Sequence, residues 1–366
     1  MVKIPVGILG ATGMVGQNYI SLLGEHPYFE VAYLAASPRS AGKKYREAVE
    51  GRWNLRRTYN RALDDLVVED ANDVSRALAA YKAGRLGFVF SALEMEKDAI
   101  LKLEESYAAA GIPVVSNASA NRWTPDVPML IAEVNPEHAG IIPLQQKARG
   151  WSSGFIVVKP NCSIQSYMTP IWALIQAGYE VKRMIVTTMQ AVSGAGYPGV
   201  PSLDVIDNIV PYIGGEEEKS EKEPLKILGK ISGGKIENAA EPLISAHCNR
   251  VPVIDGHTAA VSLEFGAKKP ELEQIAKIWR QFRALPQELA LPFAPERPIV
   301  VHDVSNRPQP AKDRDLYKAM AVSVGRLRSC PVFDVRFVGL SHNTVRGAAG
   351  GGILNAELLK ARGYFG

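Results

Sequence analysis

The sequence predicts an α/β chain: an N-terminal doubly wound parallel sheet, closed by the C-terminal helix, joined to a second domain of α+β type. Three observations carry this reading. Short β-branched or aromatic runs alternate with helix-length stretches over the first 160 residues, the rhythm of successive βαβ units. A glycine-rich turn follows the first run and opens a helix. After Pro160 the pattern changes to longer β-rich stretches with fewer helices between them. With 366 residues, a prior of ~150 residues per domain allows about two domains, each able to bury a core.

The runs Val6–Leu9, Val31–Ala36, Gly87–Ser91, Ile112–Ser116 and Phe155–Val158 read as parallel strands, nearly continuous in apolar residues because helices cover both faces. Met14–Leu23 and Lys97–Ala110 read as crossover helices. Beyond Pro160, Met184–Ala191, Ile244–Val253, Ala259–Phe265, Met320–Val324 and Val332–Val338 read as strands of a mixed or antiparallel sheet with helices on one face. Residues 213–240, charge-rich with paired glycines, read as a surface excursion. Thr344–Leu359 opens with small residues and ends as a helix, which suits close packing against the first domain. The expected division is residues 1–158 with 342–366, and residues 159–341.

Composition excludes several classes. The formal charge is +4, spread over short runs such as Lys43-Lys44 and Arg56-Arg57, too weak a footprint for nucleic acid. Three cysteines, Cys162, Cys248 and Cys330, exclude a disulfide scaffold and fit a reducing compartment. No segment approaches the ~18 uninterrupted apolar residues of a membrane span. The chain runs from Met1 straight into a strand and a glycine turn, so a cytoplasmic location is expected. No metal is expected.

Gly10-Ala11-Thr12-Gly13-Met14-Val15-Gly16 joins the first strand to the first helix. Glycines there permit a tight turn and close approach of a pyrophosphate, whose charge sits on the unpaired N–H groups of the helix start. Gly10, Thr12, Gly13, Met14 and Val15 are therefore candidate dinucleotide contacts. An NAD site usually places a carboxylate at the end of the second strand for the ribose hydroxyls. Here the chain runs into Ser37-Pro38-Arg39-Ser40-Ala41-Gly42-Lys43-Lys44 instead. Hydroxyls and cations at Ser37, Arg39, Ser40 and Lys43 suit a 2′-phosphate, which favours NADP over NAD.

Cys162 follows the strand exit Lys159-Pro160-Asn161 and precedes an apolar-periodic stretch, Ile164, Met168, Ile171, Trp172 and Ile175. That reading places its sulfur at a helix N-terminus, where a thiol pKa falls and a nucleophile is activated, with a kink at Pro170. Cys248 and Cys330 lie in strand-like runs and read as small hydrophobes. A thiolate beside a reduced nicotinamide suits attack on an activated acyl group followed by hydride transfer.

Further motifs supply what such a site needs. They include Pro160-Asn161-Cys162-Ser163, Gln190-Ala191-Val192-Ser193-Gly194-Ala195-Gly196-Tyr197-Pro198-Gly199 and Glu216-Glu217-Glu218-Lys219. Arg250-Val251-Pro252-Val253-Ile254-Asp255-Gly256-His257 and His342-Asn343-Thr344-Val345-Arg346-Gly347 follow. Together with the two cofactor motifs, they resemble the aspartate-β-semialdehyde dehydrogenase family, fungal and archaeal branch, over nearly the whole chain. The resemblance implies NADPH-dependent reductive dephosphorylation of β-aspartyl phosphate, a step toward lysine, threonine and methionine. It implies Cys162 as nucleophile, His257 as acid/base, Arg250 for the substrate α-carboxylate, Gln190 for orientation and Glu216 for the α-ammonium group. Lys219, Arg122 and Asn161 would hold the phosphate. Asn343 would orient the nicotinamide carboxamide, and Ser91, Ser193 and Gly194 would complete the cofactor contacts. It also implies a homodimer core, with tetramers suggested by the fungal members.

Some alternatives stay open from residues alone. Glu217 or Lys222 could replace Glu216 or Lys219 in the same charge run. The spacing of Arg250 and His257 is odd, so an uninterrupted strand would send them to opposite faces; the Asp255-Gly256 turn must redirect the chain. His26, His138 and His302 read as structural or solvated, and His247 and His342 as undecided. Rival functions are a reductase of malonyl-CoA or N-acetylglutamyl phosphate, and a non-catalytic NADP-sensing protein.

Overall fold

Six parallel strands form the first sheet of the computed structural model, which describes residues 2–365: β1 (Ile4–Leu9), β2 (Phe29–Ala36), β3 (Val68–Asp70), β4 (Phe88–Ser91), β5 (Val114–Ser116) and β6 (Ile156–Val158). Residues 1 and 366 of the expected division lie outside the described residues. The strand order is β3-β2-β1-β4-β5-β6, so the winding reverses between β1 and β4. A ligand crevice opens at the carboxyl ends of the strands at such a point. The expected helices appear at Met14–Leu23 and Lys97–Ala109. Strand β3 was not foreseen: its three residues end in Glu69-Asp70 and leave no apolar run to read.

The second sheet is mixed, as the change of rhythm after Pro160 implies. It contains β7 (Val181–Gln190), then, after a small hairpin of β8 (Lys230–Ser232) and β9 (Lys235–Glu237), β10 (Leu243–Arg250), β11 (His257–Phe265), β12 (Ile299–His302), β13 (Val322–Ser329) and β14 (Val335–Ser341). The order is β10-β7-β11-β14-β13-β12, with the outer pairs parallel and the inner pairs antiparallel. The alternation in Asp334–Val338 holds, since Val335 and Phe337 face inward. The strand nevertheless begins three residues later than its apolar run, because Val332 lies exposed in the turn after Pro331.

One face of the first sheet packs Val6, Ile8, Phe88 and Phe90 against Ile353, Ala356 and Leu359 of the C-terminal helix Gly350–Ala361. The small residues of this segment are required: a Cβ on Gly352 would sit 1.9 Å from the Tyr19 hydroxyl. The other face shares a continuous core with helices Met168–Gln176 and Leu272–Gln281 under the mixed sheet, through Val89, Val114, Met168, Val261, Trp279 and Phe337. Burying this shared apolar area stabilises the junction by ~25 cal/mol per Å². Arg346, 1% exposed, pins the same junction by donating to Glu133, Thr169 Oγ1 and the Met320 carbonyl.

Two local expectations are corrected. Residues 213–240 are not a surface excursion: Glu216–Ile227 is a helix whose residues Glu216, Ser220, Glu223 and Ile227 are buried on one face. The stripe has helical spacing but is mostly polar, so hydropathy did not reveal it. Pro170 makes no kink, because it occupies the first turn of Met168–Gln176, where no intrahelical N–H bond is lost. His26 and His138 are structural, bonded to Glu357 at 2.7 Å and to the Gly229 carbonyl at 2.9 Å. Among the described residues no helix is long and apolar enough to cross a membrane.

Candidate active site

Strand β6 delivers the chain to Pro160-Asn161-Cys162 at the crevice. The helix expected to start at Cys162 does not: Ser163–Ser166 is a single 3-10 turn, and the α-helix begins at Met168. Cys162 therefore lacks the full field of a long helix start. Asn161 organises this turn through its own amide. Its Oδ1 accepts from Ser163 N–H and Oγ–H at 2.8 and 2.7 Å, and its Nδ2 donates to both Glu216 oxygens at 2.9 Å. Its backbone N–H donates to Glu223 Oε2 at 2.6 Å.

The odd spacing of Arg250 and His257 is resolved by topology. Arg250 ends β10 and His257 starts β11, and the two strands flank β7 on opposite sides. Both side chains meet at Ala191, just past the end of β7. Arg250 Nη1 donates to the Ala191 carbonyl at 2.7 Å, and Ala191 N–H donates to His257 Nδ1 at 3.0 Å. His257 Nε2 lies 3.2 Å from Cys162 Sγ. Gly194 leaves this place tight: a Cβ there would stand 3.0 Å from both Arg250 Nη1 and His257 Cε1.

The helix Glu216–Ile227 closes the other side. Glu216 accepts from Lys219 Nζ at 2.8 Å, from Asn161 and from Gln190 Nε2 at 3.1 Å. Their neighbours in the charge run lie elsewhere: Glu217 accepts from the Cys248 N–H of β10, and Lys222 is exposed. Arg122 reaches the same place and pairs with Glu223 at 2.9 Å. Sequence reading missed Glu223, which holds Arg122 with one oxygen and the Asn161 amide with the other. It also missed Lys159, a fully buried lysine whose amine donates to the Pro160 carbonyl at 3.0 Å.

Burial dominates the electrostatics and corrects the expectation of a lowered thiol pKa. The protein around Cys162, with the Glu216 carboxylate, pushes its thiol up to about 11 against the pull of Lys159, Arg122 and Arg250. Burial and the Arg250 charge bring His257 down to about 3, so its imidazole is neutral at physiological pH. Burial also brings the Lys159 ammonium down to about 7. Glu216 resists its burial because Lys219, Gln190 and Asn161 hold its carboxyl below the usual range.

A cleft of about 660 Å³ leads from the glycine turn to the sulfur. Gly10, Thr12, Gly13, Met14 and Val15 line one end, Ser37 and Arg39 the rim, and Ser193, Gly194, Asn343, Arg122, Asn161 and Cys162 the other end. Gly10 adopts φ +82°, and a Cβ on it would meet the Ala92 carbonyl oxygen at 2.3 Å. The helix start at Gly13 has no side-chain cap and no acidic residue in its first turn, leaving its N–H groups for an anion. The residues therefore fit a dinucleotide. Ser91, Ser40 and Lys43 are not among the residues that line the cleft. Ser91 is wholly buried beside Glu104, Ser40 is buried in its own turn, and the Lys43 backbone is tied to Val68. Arg52 and Asn72 line the cleft unannounced, brought there by tertiary folding alone. Asn343 is engaged at both ends, accepting from Gly256 N–H and donating to Ser193 Oγ at 2.8 Å each. Among the described residues no group of three or more His, Cys, Asp or Glu side chains is placed to hold a metal ion.

Comparison with known proteins agrees with this geometry. Residues 5–141 match the family model of the semialdehyde dehydrogenase NAD-binding domain, and residues 171–346 that of the semialdehyde dehydrogenase dimerisation domain. The aspartate-semialdehyde dehydrogenase of Methanothermobacter thermautotrophicus is 48% identical over 358 residues, covering 97% of this chain and 99% of its own. The chain belongs to the aspartate-semialdehyde dehydrogenase family. It is an oxidoreductase of that type. The Cryptococcus neoformans aspartate-semialdehyde dehydrogenase is 43% identical over 369 residues, covering 99% of this chain and 98% of its own. The Candida albicans aspartate-semialdehyde dehydrogenase, solved with NADP, superposes with a TM-score of 0.88 at 39% identity, over all of both chains. This family member thus has relatives in both the archaeal and the fungal branches that its motifs resemble.

Proposed function

We propose that this chain reduces β-aspartyl phosphate to aspartate semialdehyde with NADPH, releasing phosphate, a step toward lysine, threonine and methionine. The observation that carries the reading is the meeting, at the inner end of a dinucleotide cleft, of a Cys162–His257 pair with the carboxylate Glu216 and the cations Arg122, Lys219 and Arg250. Gly10, Thr12, Gly13, Met14 and Val15 would cradle the pyrophosphate, with Ser37 and Arg39 at the 2′-phosphate and Ser193, Gly194 and Asn343 around the nicotinamide. NADPH, when bound, supplies the hydride. Cys162 attacks the acyl carbon and forms a thioester, while His257 handles protons at the sulfur. Arg250 offers a planar fork to the substrate α-carboxylate, and Glu216 meets the α-ammonium group. Arg122 and Lys219, with Asn161, hold the phosphate, and Gln190 orients the group under attack. Each of those two cations already faces a carboxylate, so a multiply charged acyl phosphate exchanges partners instead of meeting bare charge. Malonyl-CoA has no amine for Glu216, and N-acetylglutamyl phosphate has its amine blocked.

The deciding assay is phosphate-dependent NADP+ reduction with aspartate semialdehyde. Turnover that exceeds that with N-acetylglutamate semialdehyde or malonate semialdehyde plus CoA supports the reading; preference for either of those pairs refutes it. Arg39→Ala should raise KM for NADP+ by about 10- to 100-fold and leave that for NAD+ nearly unchanged, because a charge-assisted bond to the 2′-phosphate is lost. Equal changes for both cofactors would remove Arg39 from the 2′-phosphate.

The proposed units are residues 1–158 with 342–366 for cofactor, and 159–341 for catalysis and dimerisation. A cytoplasmic homodimer, or a tetramer of such dimers, fits the open face of the mixed sheet. There Ile185, 41% exposed, lies in a cross-strand row with Ser245, Ser262 and Arg336 that no helix covers among the described residues.

A further inference from the structure

Of the groups that the motif after β2 offers to a 2′-phosphate, only Ser37 and Arg39 line the cleft. A phosphate monoester carries about −1.5 to −2 charge at neutral pH, so a single guanidinium leaves part of it unanswered. A second cation does line the cleft, and it comes from outside the motif: Arg52. Its place is fixed by one buried amide. Gln17, fully buried on the helix Met14–Leu23, donates through Nε2 to the Thr12 carbonyl at 3.0 Å and to the Arg52 carbonyl at 2.8 Å. Its Oε1 accepts from Asn54 N–H at 3.0 Å. Tyr45 ties the same segment down by donating to the Ala11 carbonyl at 3.1 Å. The chain thus leaves β2 past Arg39 and is stapled back to the glycine turn at Arg52.

The Arg52 side chain is uncommitted. It is exposed, and among the described residues its guanidinium has no hydrogen bond and no ion pair. Arg122, at the inner end of the same cleft, is by contrast paired with Glu223. Among the described residues Glu94 is the only carboxylate lining the cleft, and it lies beside Gly196. The pyrophosphate already has the uncapped N–H groups of the helix start at Gly13, and ribose hydroxyls call for no cation. The 2′-phosphate is the group that lacks a second positive partner, and a planar fork suits its oxygens.

We propose, on the reading of NADP as the cofactor, that Arg52 is a second specificity-determining residue for the 2′-phosphate, filling the role that the motif offers to Lys43. The selectivity for the phosphorylated dinucleotide then comes from two arginines, one on each end of the segment that joins β2 to the glycine turn.

The test is equilibrium binding to the full-length protein without substrate, using NADP+, NAD+ and 2′,5′-ADP as probes. Arg52→Ala keeps the backbone carbonyl that Gln17 holds, so the fold stays intact. It should weaken NADP+ and 2′,5′-ADP by about 10- to 100-fold, the loss of a charge-assisted bond, and leave NAD+ within about threefold. Added salt should weaken 2′,5′-ADP more steeply in the parent than in the variant, because one exposed charge pair is gone. Equal losses for NADP+ and NAD+ would put Arg52 at the pyrophosphate and overturn the proposal, as would unchanged NADP+ binding or a parallel salt dependence. Arg39→Ala, titrated alongside, separates the two levels of the reading. Lost NADP+ preference in Arg39→Ala with none lost in Arg52→Ala overturns the role of Arg52 alone. A parent that binds NAD+ as tightly as NADP+ overturns the 2′-phosphate site itself, and this proposal with it.

Discussion

Cys162→Ala should lower phosphate-dependent NADP+ reduction by about 10⁴-fold or more, the loss typical when the atom that forms the covalent intermediate is removed. Its binding of NADP+ and its thermal unfolding should match the parent, because Cys162 sits at the end of the cleft and contributes one small side chain to packing. Cys162→Ser should be nearly as inactive, since a hydroxyl ionises far less readily than a thiol in the same buried surroundings. Cys248→Ala and Cys330→Ala should retain turnover. Cys248 is fully buried on β10, facing Ser220 of the helix Glu216–Ile227, and Cys330 lies at the far end of β13 in a turn before β14. Retention of more than about a hundredth of the parent rate in Cys162→Ala would remove the thioester from the reaction.

Arg346→Met should destabilise the protein by about 3–5 kcal/mol, the usual cost of stranding a buried charge. Arg346 is 1% exposed, and its partner Glu133 is 2% exposed at 2.9 Å. The guanidinium also satisfies Thr169 Oγ1 and the Met320 carbonyl, so one substitution leaves three buried acceptors short. Because these partners come from both sides of the junction, the loss should appear as a fall in Tm together with weaker cooperativity between the halves. The double variant Arg346→Met/Glu133→Leu should recover part of the loss, since it removes the stranded carboxylate as well. A Tm within a degree or two of the parent in the single variant would show that Glu133 finds water or another cation instead.

The site was legible where chemistry depends on neighbours in the chain. Gly10 to Val15 could be read because a strand, a glycine turn and a helix start are local events, and the structure places all five in the cleft. Cys162 stood out because it follows a strand exit, although the long helix expected behind it is a 3-10 turn. Ser40 and Ser91 show the converse limit: motif position does not state which way a side chain points, and both are buried. Glu223 and Lys159 were invisible. A buried polar stripe has helical period but no hydrophobic contrast, and a lysine before Pro160 looks like any surface lysine until the chain folds over it.

The alternation of elements, the glycine turn, the candidate nucleophile and the residue types of the site were readable from the chain, because periodicity, turn chemistry and thiol chemistry are written over a few consecutive positions. The electrostatic surroundings and the partnerships arose with the folded arrangement. Arg250 and His257 come together because β7 lies between their strands, and the resting charge of Cys162 and His257 follows from how much protein surrounds them. Solvation energy depends on atoms from every part of the chain at once, and no local stretch of residues encodes it.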